Sequence, residues 1–335
     1  MLKIFVPAPA DLVTGGVELL HQLVDEINNH GGDAYIVYSR VGAVIQSDYR
    51  KYNIKLADKV EDNPHNVVIL NETADLMRVF DIKYARIVLW WLSVDNFFIY
   101  YRKKISLFDL LRFDKKIFRE EFFRRLKRFF LRKTFSLKVL RKHPRIVLNA
   151  YQSEYAKEFL IRNKFITLFS LSDYINVEYL GNGDLYKKED WIAYNPKKGY
   201  EFTKRLIANA PNLNWRPIMG LDRDGVIDIL KRCKLYIDFG NHPGKDRLPR
   251  EAAACNCIII TGIRGAGYYY NDIPIPECYK INQYKVDINS VISKLKELIY
   301  SYDNCINDFQ NYRDKIKNEK RSFKEEAQML LNILK

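Results

Sequence analysis

The residues best suited to chemistry in this 335-residue chain gather between Leu235 and Pro276, LYIDFGNHPGKDRLPREAAACNCIIITGIRGAGYYYNDIPIP. An apolar run, Leu235 to Phe239, breaks at Gly240-Asn241-His242-Pro243-Gly244. It resumes as Leu248-Pro249-Arg250-Glu251-Ala252-Ala253-Ala254 before a second apolar run, Cys257 to Thr261. The pattern predicts strand, loop, helix, strand. A loop carrying Gly244, Lys245, Arg247 and Arg250 into a helix brings together free backbone N–H groups, the positive end of a helix dipole and cationic side chains. That combination suits a diphosphate. Glu251, in the first turns of the helix, is placed to accept hydrogen bonds from a sugar hydroxyl while basic neighbours keep it ionised. His242 could bond a phosphate or a leaving group, or be a loop histidine without a role.

Three other stretches are placed to meet a ligand. Thr14-Gly15-Gly16 lies between a short strand, Leu2 to Val6, and a helix over Val17 to Asn28 whose apolar positions are Val17, Leu20, Leu23, Val24 and Ile27. Glycines there let the backbone approach a ligand at a helix N-terminus. Gly31-Gly32 ends the helix and Ala34 to Tyr38 is the next strand, which completes a βαβ unit. Asn195-Pro196-Lys197-Lys198-Gly199 follows a strand at Trp191 to Tyr194 and precedes a helix over Tyr200 to Asn209. It is either a cationic ligand loop or a solvated turn. Ile87 to Trp91 is a buried strand, and Ser93, Asp95 and Asn96 follow at its carboxyl end, where ligands meet open α/β sheets. Asp95 is a candidate proton acceptor, and equally a cap for the next helix.

The Gly15-Gly16 opening, Lys198-Gly199, Glu251-Ala252-Ala253-Ala254 and the strand Cys257-Ile-Ile-Ile-Thr-Gly262 together resemble the large retaining family of nucleotide-sugar-dependent GT-B glycosyltransferases. The resemblance implies an α/β chain of two Rossmann-like domains facing a cleft, with the donor in the second half and the acceptor in the first. It implies that Lys198 binds the donor diphosphate and Glu251 the donor ribose. Two positions depart from the family pattern: Pro243 stands where its first motif Glu would be, and Ala193 where its phosphate-binding Arg would be. Lys197 is one substitute for that Arg; Arg247 and Arg250, from the other loop, are another. No cofactor or metal is expected, because Lys, Arg and a helix end would neutralise the diphosphate.

These sites fix the expected organisation. Residues 1–171 form an N-terminal acceptor domain, with strands at Val67 to Leu70, Ile87 to Trp91 and Ile146 to Asn149, a short helix from Asn71 to Phe80, and a helix from Gln152-Ser153-Glu154 to Leu160. The polar stretch 172–190 reads as a linker, and 191–310 as the donor domain, with helices at Asp222 to Lys231 and Val286 to Tyr300. Residues 311–335, with a helix from Ser322 to Leu334, could cross back to the first domain.

Composition narrows the function classes. Hydrophobic content of 47% and 14% aromatics mark a globular chain. The five cysteines form no CxxC pair and read as reduced core thiols of a cytosolic protein. MLKIFVPAPA is too soon broken by prolines for a signal peptide, and no apolar run suggests a membrane span. The net charge of +14 is local: residues 97–145 hold 17 Lys and Arg against 4 Asp and Glu, leaving +1 for the rest. Within that segment Phe118, Phe122, Leu126, Phe129 and Phe130 share a helical face, while Arg119, Arg124, Lys127, Arg128 and Arg132 occupy the others. Such a helix suits an anionic membrane surface, and nucleic acid less, since a phosphate backbone has no use for the apolar stripe. Packing of the aromatics on the N-terminal domain would leave the cations merely solvated. The reading that follows is a metal-independent glycosyltransferase at the inner face of the membrane, acting on a lipid-linked glycan. An epimerase or hydrolase of sugar nucleotides and a basic polyanion-binding protein are the alternatives.

Overall fold

The computed structural model describes residues 2–72, 78–102, 136–180 and 187–335. It divides into two units, one of Met1–Gln152, Ala156–Leu171 and Ala327–Lys335, the other of Ser153–Tyr155 and Ser172–Glu326. Each is built on a parallel sheet with alternating helices.

The first unit carries β1 (Ile4–Ala8), β2 (Ala34–Tyr38), β3 (Lys55–Leu56), β4 (Val67–Asn71), β5 (Arg86–Trp91), β6 (Ile146–Tyr151) and β7 (Leu168–Ser170), in the order β3-β2-β1-β4-β5-β6-β7. All its pairings are parallel. β1 and β4 are buried along their whole length, as continuous apolar strands covered on both faces must be. Helices α1 (Gly15–Asn29), α2 (Val94–Arg102), α3 (Leu137–Arg141) and α4 (Glu154–Arg162) accompany the sheet. The strand order reverses between β1 and β4, and that switch point is where an open α/β sheet offers a crevice at its carboxyl ends.

The second unit has β8 (Glu189–Tyr194), α5 (Tyr200–Asn209), β9 (Asn214–Pro217), α6 (Arg223–Arg232), β10 (Cys233–Asp238), α7 (Arg247–Ala254), β11 (Ile258–Gly262), β12 (Lys280–Ile281), α8 (Ile288–Tyr300), α9 (Tyr302–Cys305) and α10 (Gln310–Leu334). Its sheet runs β12-β11-β10-β8-β9, again parallel throughout. The switch point here lies between β8 and β10, so the loop after β8 and the loop after β10 flank it.

Several expectations shift in register or extent. α10 begins at Gln310 rather than Ser322, because buried Tyr312, Ile316, Phe323, Ala327, Leu330 and Leu334 continue one apolar stripe along it. Its last residues belong to the first unit, where the Arg86 guanidinium donates to the Leu334 carbonyl at 2.6 Å. The helix expected over Asn71 to Phe80 falls partly on residues 73–77, outside those described; 78–80 form a single 3-10 turn. Residues 103–135 of the basic-aromatic segment also lie outside, and with them its proposed amphipathic face. Of the cysteines only Cys233, Cys255 and Cys257 are core thiols. Cys278 is exposed and Cys305 half-buried, since both sit beyond the apolar strands.

The tightest backbone constraint is Gly199. It holds a left-handed φ of 61°, and a Cβ there would collide with the backbone of Phe239 and Gly240. Gly31, also left-handed at φ 74°, faces open space. Gly31→Ala should cost only the backbone strain, about 1 kcal/mol, whereas Gly199→Ala should cost on the order of 3 kcal/mol or more. Urea melts of both variants check this; equal destabilisation would mean that the two loops do not depend on their close approach.

Candidate functional site

Three loops surround the second sheet's switch point, and the last two are joined through their backbones. After β8, Asn195 to Gly199 turns into α5. After β10, Phe239 to Asp246 turns into α7, and after β11, Ile263 to Gly267 follows the edge of the same platform. Ala266 N–H donates to the His242 carbonyl at 2.8 Å, and the Gln283 side chain donates to the Phe239 carbonyl at 3.1 Å.

His242 is the pin of the middle loop. It is fully buried and adopts a left-handed φ of 43°, a conformation worth roughly 1–3 kcal/mol of strain for a non-glycine residue. Its ring is held at both nitrogens: Nδ1 lies 3.1 Å from Asp246 Oδ2, and Nε2 lies 3.3 Å from the Asp238 carbonyl and 3.9 Å from Asp238 Oδ1. Asp246 in turn accepts from the Lys198 ammonium at 2.8 Å, and Asp238 accepts from the Gly240 N–H at 2.8 Å and the Tyr236 hydroxyl at 3.0 Å. Burial alone would lower the histidine's pKa, but the two carboxylates outweigh it and raise it. For Asp246 burial pushes up, while the His242 bond and the Lys198 charge hold the carboxyl down at about 2. As N-cap residue of α7, Asp246 makes no side-chain cap bond, because its oxygens are given to His242 and Lys198. Pro249 sits in the first turn, where its missing N–H costs nothing.

The predicted cations separate. Lys197 is exposed beside the loop, and Lys198 is partly exposed across it. Lys245 and Arg250 turn inward instead. The Arg250 guanidinium, fully buried, meets Asp173 at 2.7 Å and Glu319 at 2.9 Å, and Lys245 meets Glu319 at 2.9 Å. These two are therefore charge partners of carboxylates within their own unit, and the expectation that they face a diphosphate does not follow from their geometry. Burial pushes the Asp173 pKa up, but Arg250 and Lys245 overcome this and bring it to about 2. Arg247 is intermediate: it donates to the Tyr174 carbonyl at 3.2 Å, with Asp173 3.9 Å away. Gly244 is buried, and Glu251 is buried on α7.

In the first unit, Gly15 and Gly16 open α1 behind the Thr14 cap, whose hydroxyl accepts from Val17 N–H. A Cβ at Gly16 would meet nothing, so the protein's own packing does not require glycine there. Asp95 lies in the first turn of α2, half-buried.

Asp238, His242 and Asp246 bring ligand atoms within 4.8 Å of one another, the one set among the described residues that could hold a metal ion. The Lys198 ammonium already meets Asp246 there, which disfavours a second cation. The chain's one Asp-x-Asp, Asp222-Arg223-Asp224, does not form a metal pair either, since Asp222 Oδ1 caps α6 through Gly225 N–H at 2.9 Å. Sequence reasoning missed Asp173, Asp238, Asp246, Glu319 and, in the first unit, Glu72. An acid at or just past the end of an apolar strand was the available signal for Asp238 and Glu72; Asp173, Asp246 and Glu319 carried none.

Because the folded pKa of His242 is raised, its contribution to stability is complete below the unfolded value near 6.5 and is lost as pH rises through the folded value. Asp246→Asn should lower the His242 pKa and shrink the stability difference between pH 5.5 and 8.5. Histidine NMR titration and urea melts at both pH values measure it; an unshifted His242 would show that Asp238 alone holds the proton.

No family model and no curated protein sequence matches the chain. Solved structures do match it. Sucrose-phosphate synthase from Thermosynechococcus elongatus aligns with a TM-score of 0.65 at 10% identity, over 100% of this chain and 99% of that one. HepE of Anabaena, solved in complex with UDP-glucose, aligns at 0.61 and 9% identity, over 99% of each chain. TarM aligns at 0.53 and 12% identity over 82% of this chain, and the match spans 56% of TarM's length. The likeness at these identities is one of fold, and the fold is GT-B: two parallel sheets with alternating helices.

Proposed function

We propose that this GT-B chain is a glycosyltransferase that takes a sugar from a nucleotide-diphosphate donor and moves it to a glycan acceptor. The observation that carries the reading is the loop pair at the second sheet's switch point, where Lys198 reaches Asp246, the N-cap residue of α7, and exposed Lys197 precedes it in the same loop. A cation beside the N–H groups of a helix start suits an anion at the position where an α/β sheet receives its ligand. HepE, with the same fold, was solved with UDP-glucose. In this reading Lys198 moves between two anions. Without donor it pairs with Asp246, and with donor its ammonium meets the diphosphate, while Asp246 keeps its bond to His242. Glu251 accepts hydrogen bonds from donor hydroxyls through its position on α7. The diphosphate is neutralised by lysines and a helix end, so no metal is required for that charge.

Lys198→Ala should weaken binding of UDP or GDP at least tenfold, about 1.4 kcal/mol, in calorimetric titration. Unchanged nucleotide affinity would remove the diphosphate from this loop. Mass spectrometry of chain incubated with UDP-, GDP- and CMP-sugars separates the transferase from a hydrolase or epimerase, because only the transferase gains turnover from added glycan.

The acceptor we propose is lipid-linked, of the kind extended in surface polysaccharide synthesis, with the chain held peripherally at the cytoplasmic face of the membrane. The support is the segment 97–145 with its 17 basic residues against 4 acidic ones. Near an anionic surface each cation contributes about 1 kcal/mol. No helix among the described residues is long and apolar enough to cross a membrane. In co-sedimentation, binding should require anionic vesicles, weaken with salt, and fail when Phe122 and Phe129 become Ser. Equal binding to neutral vesicles, or none to either, would leave the segment without a lipid role.

A further inference from the structure

Two thiols in the core of the second unit face each other where two strands begin. Cys233, the first residue of β10, and Cys257, which directly precedes β11, bring their Sγ atoms to 3.3 Å, although 24 residues separate them in the chain. Both residues are fully buried. A third core thiol, Cys255, turns instead to the Tyr179 carbonyl at 3.7 Å. One ammonium holds the backbone around the pair. Lys188 Nζ donates to the carbonyls of Leu230, Cys233 and Cys255 at 3.3, 2.9 and 2.6 Å, which ties the end of α6 and the turn after α7 to the same point. Cys257 Sγ donates to the Leu230 carbonyl as well, at 3.1 Å. The sulfurs of a disulfide lie about 2 Å apart, so this pair is separated from a bond by a shift of about 1 Å.

We propose that Cys233 and Cys257 are a site of oxidative modification, where a peroxide converts the two thiols into a reversible disulfide that restrains the second unit. Burial pushes both thiols up, but the Cys233 bond and the Lys188 ammonium bring Cys257 below its ordinary value, while Cys233 stays well above its own. Cys257 is therefore the nucleophile. Its thiolate attacks one peroxide oxygen, the O–O bond breaks, and the other oxygen leaves as hydroxide, which gives a sulfenic acid. The Cys233 sulfur then attacks the Cys257 sulfur. The S–S bond forms, and the expelled hydroxide takes up the Cys233 proton, so two thiols are oxidised and one peroxide is reduced to two waters. Access is short: Cys257 follows Asn256, an exposed residue with a left-handed φ of 60° in the turn after α7, and local opening of that turn admits a molecule little larger than water. The bond closes a ring that contains β10, the loop of His242 and α7. It lies at the amino ends of β10 and β11, away from the loop after β10, and it restrains the unfolded chain more than the folded one. The site stands whether or not the chain transfers a sugar.

The test uses the full chain carrying Cys278→Ser, which removes the exposed thiol. It is treated with hydrogen peroxide in native buffer, blocked with N-ethylmaleimide and digested without reduction. Mass spectrometry should find the peptides of Cys233 and Cys257 joined, two hydrogens lighter than their sum. The oxidised chain should melt roughly 5 °C above the reduced one, and dithiothreitol should reverse both changes. In a further Cys233→Ala variant neither change should occur, and Cys257 should instead hold a sulfenic acid that dimedone captures. A cross-link that forms only in urea would overturn the proposal, because the folded chain would then keep peroxide out. So would a sulfinic acid at Cys257 beside a free Cys233. A joined chain that melts no higher than the reduced one would overturn it too, since the bond would then strain the unit rather than restrain it.

Discussion

The second unit depends on a histidine that is buried in a left-handed turn. His242 takes a φ of 43° inside the loop between β10 and α7, and nothing in the intrinsic preferences of its backbone favours that state. The ring supplies the compensation. Asp238, at the end of β10, and Asp246, at the start of α7, approach it from either side, so the loop is closed by two charged contacts four residues upstream and downstream of the pin. The turn then presents the His242 and Asn241 carbonyls so closely to the next loop that only a glycine, Gly265 at φ 54°, can pass them. The two contacts of this one buried ring thus fix the conformation of the loop and the entry of α7, and the turn they hold sets the path of the chain after β11. Buried charges are costly to desolvate, and such a network is retained more readily for the geometry it specifies than for net stability.

The same logic sorts the cations. Arg250 and Lys245 are consumed by Asp173 and Glu319, which locks α7 to α10 and to the segment that opens the unit. Leaving any of these charges unpaired in the interior would cost about 3–5 kcal/mol, so they are poorly placed to trade partners with a ligand. Lys198 is different. It pairs with one carboxylate only and remains partly exposed, so an incoming anion can replace Asp246 at small cost. What sets Lys198 apart from Lys245 and Arg250 in this unit is how many buried carboxylates hold it.

That distinction explains what could be read from the sequence and what could not. The long apolar strands, the glycine-flanked loops and the helix over Arg247–Ala254 were legible, because strand and helix periodicity are local properties of the chain. Two-residue strands such as β3 and β12 carry no period and went unseen. Lys198-Gly199 and the alanine-rich helix marked the two loops that flank the second sheet's switch point, but the fate of their basic residues was not legible. Asp173 and Glu319 lie 77 and 69 residues from Arg250, and no spacing rule links them. Lys245, Arg247 and Arg250 look alike as a string. Only the fold turns Lys245 and Arg250 inward to Asp173 and Glu319.

The two sheets offer opposite chemistries at equivalent places. Each reverses its strand order once, between β1 and β4 in the first and between β8 and β10 in the second. In the second sheet the strand ends there carry lysines and the start of a helix, an environment that stabilises negative charge. In the first, β4 is followed by Glu72, a buried carboxyl on which burial and backbone N–H groups act but no side-chain charge. The burial that raises the Glu72 pKa is the counterpart of the charge that lowers that of Asp246: one carboxyl has no cation to oppose its burial and is pushed up to about 7, and the other is kept ionised by His242 and Lys198 despite its burial.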